Sequence, residues 1–440
     1  MGRLLAAWQQ RLSLRDLLRQ LWTHRRQTQT ALFNWTVVLA GLVVLQGVTA
    51  VTSVLVARRV TPLEYGQYLS SLGLASLLII IPNFGLDTFL LARGGLPAEQ
   101  LAKLWARLLR LRAALLAAWL GVMGLLSFVL PAATYPFMVL WPTSLALALE
   151  SVVLLSHSAL RSLSRHGWVT LLQSAVTIAL LGITIGLQLR PGQIALFGIS
   201  RAAVWLLAAP LTVVATARLL RRPGPAVAPV EGAPVVSATA FLVSDFAAAI
   251  YTRAPVTVVA LYLGADAVAA FGPANNLILF LFVIPNALYF VVLPLLSRWA
   301  AARRATFRRV AGLQLLLQAG AGAIISLGTV LFGGVIISRL FGANYAGSAL
   351  SLLMLSPLPL LKSLNFGLAA VLTADDRQPL RTATQVVCAL FNVAASVLLA
   401  RSLGLFGIAL ALVGSEALLA VGYALGVLWP RRRASSVSPA

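Results

Sequence analysis

Cysteine is almost missing from this sequence: Cys388 is the only one, and it lies inside an apolar run. That excludes a disulfide framework and a cysteine-based metal site. Histidine is nearly as rare, with three residues, and neither His157 nor His166 has metal-ligand company at usable spacing. Charge is scarce too. Acidic and basic residues together make up 10% of the chain, against about 25% in soluble domains. With 60% hydrophobic residues and a mean hydropathy of +0.92, a soluble globule is excluded. No alternating ten-residue pattern supports a membrane barrel. There is no Walker lysine loop, no Gly-x-Ser-x-Gly, no zinc spacing and no acidic pair on a loop. The expectation is therefore a protein without cofactor, metal or enzymatic activity, driven by an ion gradient or by its substrate's own gradient.

What the chain does have is a series of apolar runs of roughly 20 residues, each long enough to cross the hydrocarbon core as a helix. Twelve spans are expected, at 32–57, 66–91, 108–130, 137–160, 168–188, 194–217, 237–263, 271–297, 311–337, 346–372, 380–400 and 404–429. The one long soft connection, 218–236, holds Pro223, Pro225, Pro229 and Pro234. It separates an N-terminal six-helix bundle (31–217) from a C-terminal one (237–429). A basic amphipathic segment, 1–30, precedes them, and a short tail, 430–440, follows. In the first of these, Trp8, Leu14, Leu18 and Trp22 recur at helical spacing between arginines, which suits an anionic membrane surface as well as it suits a solvated tail. No cleavable signal is expected, because the basic segment is too long for one.

The net charge of +23 would suggest nucleic acid in a soluble protein, but its distribution points elsewhere. With the N-terminus in the cytoplasm, the loop cations fall inside, except Arg58, Arg59, Arg190, Arg339 and Arg401. By the positive-inside rule both termini are cytoplasmic, and the protein is a multi-pass protein of the cytoplasmic (inner) membrane. No partner nucleic acid is expected.

The second span is unusual. It follows the elbow Thr61-Pro62-Leu63-Glu64-Tyr65-Gly66, is broken by Pro82-Asn83 and carries Asp87. In that elbow Pro62 fixes one backbone angle, and Gly66 is expected to let the chain re-enter the bilayer tightly. A shift of 203 positions, without a gap, lays Val60–Leu90 over Leu263–Leu293, with Ile81-Pro82-Asn83 on Ile284-Pro285-Asn286. This reads as an internal repeat. Because six spans is an even number, the two halves would be related by an axis along the membrane normal.

Apart from Arg110, Arg112 and Arg381, which are counted with the cytoplasmic loop cations at the ends of their spans, seven ionisable side chains other than histidine fall within expected spans: Asp87, Glu150, Arg201, Asp245, Arg253, Lys362 and Glu416. Each costs on the order of 2.5–3.5 kcal/mol near the bilayer centre, so a hydrated or internally paired interior is implied. Arg253 lies roughly 24 Å into its span at about 1.5 Å per residue. Always charged, it suits a phosphate or an acidic sugar; snorkelling is the alternative. Lys362, with Pro357 and Pro359 nearby, suits a cavity wall or a carboxylate partner, and Arg201 suits snorkelling or substrate. Asp87, with Arg93 near it, Glu150, Asp245 and Glu416 are candidates for ion coupling or for structural pairing. Asn83, Asn275 and Asn286 suit sugar hydroxyls or ordinary interhelical hydrogen bonds.

The elbow and the Asn83-Phe84-Gly85-Leu86-Asp87-Thr88 that closes the second span resemble the first hairpin of Wzx-like polysaccharide and O-antigen flippases. These form the export branch of the multidrug/oligosaccharidyl-lipid/polysaccharide (MOP) exporter superfamily. Leu263-Gly264-Ala265-Asp266-Ala267-Val268-Ala269-Ala270-Phe271 is similar to the element opening that family's second half. Leu293-Pro294-Leu295-Leu296-Ser297-Arg298 is similar to its Pro-x-x-Ser-Arg ending. Ala269 departs from the family's usual glycine. The resemblance covers roughly Phe33 to Ala300. It implies an all-α polytopic membrane protein and a flippase moving a lipid-linked oligosaccharide for polysaccharide or lipopolysaccharide assembly. The implied surroundings are membrane lipids, a glycan polymerase and glycosyltransferases. A multidrug or lipid-II exporter of the same superfamily is the alternative. A membrane-embedded glycan polymerase is a weaker one, since every outer connection is short.

Overall fold

The structure, a computed structural model, describes Gly41 and residues 44–83, 85–91, 96–163, 165–220, 235–302 and 304–428, with backbone alone for 235–249. The basic segment 1–30, most of the proline-rich connection and the 430–440 tail lie outside the described residues. So does Arg93.

Every described element is helical. In chain order they are α1 (44–59), α2 (Pro62–Leu78), α3 (Ile80–Asn83), α4 (Leu86–Leu91), α5 (Ala98–Val129), α6 (Phe137–Ser162), α7 (His166–Leu187) and α8 (Ile194–Leu220). Then follow α9 (Val235–Leu281), α10 (Val283–Ala302), α11 (Arg304–Phe341), α12 (Ala346–Leu355), α13 (Leu358–Ala374) and α14 (Gln378–Leu428). Among the described residues eight helices are long and apolar enough to cross a membrane, or nine if α12 and α13, bent by 43°, form one span. Two long elements are not continuous. Gly264 (φ 81°) breaks α9, and Gly404 (φ 60°) breaks α14, both in the left-handed region that a side chain disfavours.

The α14 break is a chain reversal. Gly407 lies against the backbone of Leu399, Asn392 donates to Ser415 Oγ at 2.8 Å, and Arg377 donates to the carbonyl of Gly426 at 2.6 Å. Contacts stepping outward symmetrically from Gly404 are the signature of an antiparallel helical hairpin.

The elbow before α2 is tighter than the sequence suggests. Thr61 caps the helix in a full capping box with Glu64, and Pro62 occupies the first helical position, where its missing N–H costs nothing. Gly66 is therefore inside the helix and makes no turn. Its Cα faces α9 so closely that a Cβ would overlap the carbonyl oxygen of Ala265 and lie 3.1 Å from the Ala269 nitrogen. Three residues on, the Leu69 side chain fills the space over Gly272. Both Gly66–Ala269 and Leu69–Gly272 join residues 203 positions apart (269 − 66 and 272 − 69), the same shift as the sequence repeat. Around this seam a buried core includes Tyr65, Leu69, Val268, Phe271, Tyr345 and Leu355.

Candidate functional site

The intramembrane charges fall into three groups. The first lies on the broken second span. Pro82, Asn83 and Gly85 (φ 64°) split the chain into α2, α3 and α4, and this turns Asp87 toward α5. Arg112, with no exposed surface, grips Asp87 through both guanidinium nitrogens, at 2.9 and 3.2 Å. It also donates to the carbonyls of Asn83 and Ser151, each at 3.0 Å. The Ser151 hydroxyl donates in turn to Asn83 Oδ1. A planar guanidinium fork matches a carboxylate in this way. Among the described residues the ion-pair partner of Asp87 is Arg112, and Arg112, read from the sequence as a loop cation, is a core residue.

The second group joins α6 and α8. Arg201 Nη2 lies 3.1 Å from Glu150 Oε2, and Nη1 donates to the Tyr68 hydroxyl at 2.9 Å. Arg201 therefore does not snorkel. Tyr68 is held by an edge-on contact with Phe197, ring centres 5.1 Å apart. Arg253 on α9 lies within electrostatic reach of Glu150 and Arg201 and has no ion-pair partner among the described residues. Two cations here share one carboxylate.

The third group joins α13 and α14. Lys362 Nζ lies 2.7 Å from Glu416 Oε1, and the Glu416 side chain is only 3% exposed. Asn365 donates to the Glu416 carbonyl at 3.0 Å and to its carboxylate. The ammonium lies over the rings of Tyr251 at 4.9 Å, Phe282 at 5.8 Å and Phe366 at 6.0 Å. Such a cage compensates a desolvated cation with ring quadrupoles as well as with charge.

The second and third groups correspond, with their polarity exchanged. In the N-terminal half the acid is on α6 and the base on α8. In the C-terminal half the base is on α13 and the acid on α14. Glu150 and Lys362 are 212 positions apart, and Arg201 and Glu416 are 215.

Of the remaining candidates, Asn275 is buried and Asn286 half-buried, and neither joins a charged group. Only the backbone of Asp245 is described. No cluster of metal-ligating residues occurs among the described residues. Sequence reasoning missed Arg112, Tyr68 and Tyr251. Arg112 carried a signal, since Trp105, Leu108, Arg112, Leu116, Trp119 and Met123 form one buried stripe at helical spacing. The two tyrosines carried none.

Three solved structures share this fold. An inward-facing multidrug resistance MATE family transporter of the MOP superfamily aligns with TM-score 0.67 at 13% identity, over 87% of this chain and 92% of its own. The lipid II flippase MurJ, in an inward closed conformation, aligns with TM-score 0.67 at 15% identity, over 89% and 87%. The MATE multidrug transporter DinF-BH gives 0.64 at 12%, over 95% and 97%. No protein-family model matches the chain, and no curated protein does. The fold of this chain is similar to that of these three structures.

Proposed function

We propose that this polytopic membrane protein is a flippase that carries a lipid-linked (polyprenyl pyrophosphate) oligosaccharide across the cytoplasmic membrane for polysaccharide or lipopolysaccharide assembly. In this reading twelve spans form two six-helix bundles with like orientation, and both termini are cytoplasmic. The α9 and α14 breaks support that count, since 51 helical residues would extend about 76 Å, far beyond a bilayer of about 30 Å. A transporter fold shared with a lipid II flippase supports the mechanism class.

The observation that carries the substrate class is the surplus cation at Arg253. Glu150 neutralises Arg201, and Glu416 neutralises Lys362, which leaves Arg253 to meet a phosphate head group. Lys362 is held by its carboxylate, so Arg253 with Arg201 forms the primary head-group site. Asn275, Asn286 and Asn83 are ranked below them, and Asn83 is already engaged by Ser151. Glu150 and Glu416, more than Asp87, are the acids we assign to ion coupling in this reading. Glycosyltransferases would supply the substrate and a glycan polymerase would consume it.

Complementation of a deletion strain tests this. Arg253→Ala, at normal abundance, should lower surface glycan at least about tenfold, and Arg253→Lys should retain part of it, in line with the loss of a charge-assisted hydrogen bond. Full restoration by Arg253→Ala removes this residue from substrate binding. The second reading is a multidrug exporter, favoured by the MATE neighbours. A cationic drug would meet net positive charge at Arg201, Glu150 and Arg253, so deletion should leave sensitivity to cationic dyes unchanged.

A further inference from the structure

A cavity of about 120 Å³ opens where α6 hands over to α7, against the start of the first span. It is separate from the three charged groups above. Its apolar floor is Gly41, Leu45 and Val169, and its polar wall is Arg161, His166, Thr170, Gln173 and Ser174. Residues 166, 170, 173 and 174 share one face of α7 because they follow the helical repeat. Gly41 lets the first span close over that face, since a Cβ there would lie 2.6 Å from Thr170 Cγ2.

The five polar side chains are all unspent. Among the described residues none has a protein hydrogen-bond or ion-pair partner. The carboxylate nearest in charge to Arg161 is Asp87, and Arg112 already grips it through both oxygens. The wall is rich in donors and contains no carboxylate, which selects an anion. A guanidinium, an amide and two hydroxyls directed at one space suit the tetrahedral oxygens of a phosphate. The apolar floor between two membrane-facing helices then suits a phosphate attached to acyl chains more than a free ion.

We propose that this cavity binds the phosphodiester head group of an anionic phospholipid, fixing a membrane lipid between the first and fifth spans. In the proposed orientation it lies at the inner leaflet, and the proposal does not depend on which substrate the protein carries.

The test uses the full chain, purified and reconstituted in phosphatidylcholine nanodiscs. Phosphatidylglycerol or inorganic phosphate is added, retained lipid is counted by native mass spectrometry, and the melting midpoint is followed. Wild type should retain phosphatidylglycerol and melt higher with it. Arg161→Gln and Gln173→Leu should each hold it about tenfold more weakly, while melting normally in phosphatidylcholine alone. If Arg161→Gln does not fold, Gln173→Leu carries the comparison. Equal retention by wild type and variants overturns the proposal, as does no retention by wild type, which would mean a water-filled cavity. Inorganic phosphate that protects equally and displaces the lipid overturns the lipid assignment in favour of a soluble anion.

Discussion

At the scale of single residues, the interior is governed by the cost of leaving a charge without its partner. Removing one member of a buried ion pair costs about 3–5 kcal/mol, because the survivor is stranded. Lys362→Glu would place two carboxylates together beneath Tyr251, so the variant should fail to accumulate in the membrane. The exchange of both, Lys362→Glu with Glu416→Lys, should recover most of the lost abundance. The N-terminal half already presents this polarity, with its acid on the earlier helix of the pair. Quantitative blotting of membranes measures both, and a double variant no better than the single would mean that Asn365 and the three rings dictate the polarity. Arg112 belongs to the same argument. Arg112→Lys keeps the charge but offers no planar fork, so Asp87 and the Asn83 carbonyl cannot both be met. The expected result is a loss of about 1–3 kcal/mol, read as a lower melting midpoint of the purified protein. The presence of these charges was legible in the sequence, because a charged residue in an apolar run stands out. Their pairing was not. Glu150 finds Arg201 across 51 positions and Lys362 finds Glu416 across 54, and nothing local encodes either choice.

At the scale of elements, the seam between α2 and α9 is where the repeat becomes a physical contact. If the repeat reflects a two-fold arrangement, counterparts touch only beside the axis, and Gly66–Ala269 and Leu69–Gly272 would mark its place. Small residues let the helices approach this closely, as is common when packing replaces hydrophobic drive within a membrane. The break at Pro82 was legible in the sequence, but the sequence suggested a turn at Gly66 where the structure has a close helix contact. A glycine beside a proline elbow reads as a turn residue, and only the facing helix reveals that its missing side chain serves packing. The seam can be locked. A Cβ on Gly272 would lie 3.8 Å from that of Leu69, about the mean separation in a disulfide. Leu69→Cys with Gly272→Cys, in a Cys388→Ser background, should cross-link under mild oxidant. If the halves part here during transport, oxidation should stop surface glycan delivery and reductant should restore it. Efficient cross-linking with undiminished delivery would mean that the seam is a fixed pivot.

At the scale of the whole molecule, the distribution of positive charge predicts how the protein sits in the membrane. Cations are concentrated on one set of loops, while the opposite set holds few: Arg58 and Arg59 before α2, Arg190 after α7, Arg339 near the end of α11 and Arg401 at the α14 reversal. Moving the first set outward through the bilayer would be opposed at every loop, so the asymmetry predicts one topology. That topology would make Arg190 and Ser402 external, and Glu99 and Arg308 internal; all four are exposed, so substitution there should cost little. With Cys388→Ser providing a thiol-free chain, Arg190→Cys and Ser402→Cys should react with an impermeant maleimide in intact cells. Glu99→Cys and Arg308→Cys should react only after permeabilisation. Ser402 is the most informative position. If α14 were one continuous helix, residue 402 would lie within the hydrocarbon and stay unlabelled on either side. Labelling from outside requires that Gly404 turns the chain back at the outer surface, and with it the even number of spans on which two like-oriented halves depend.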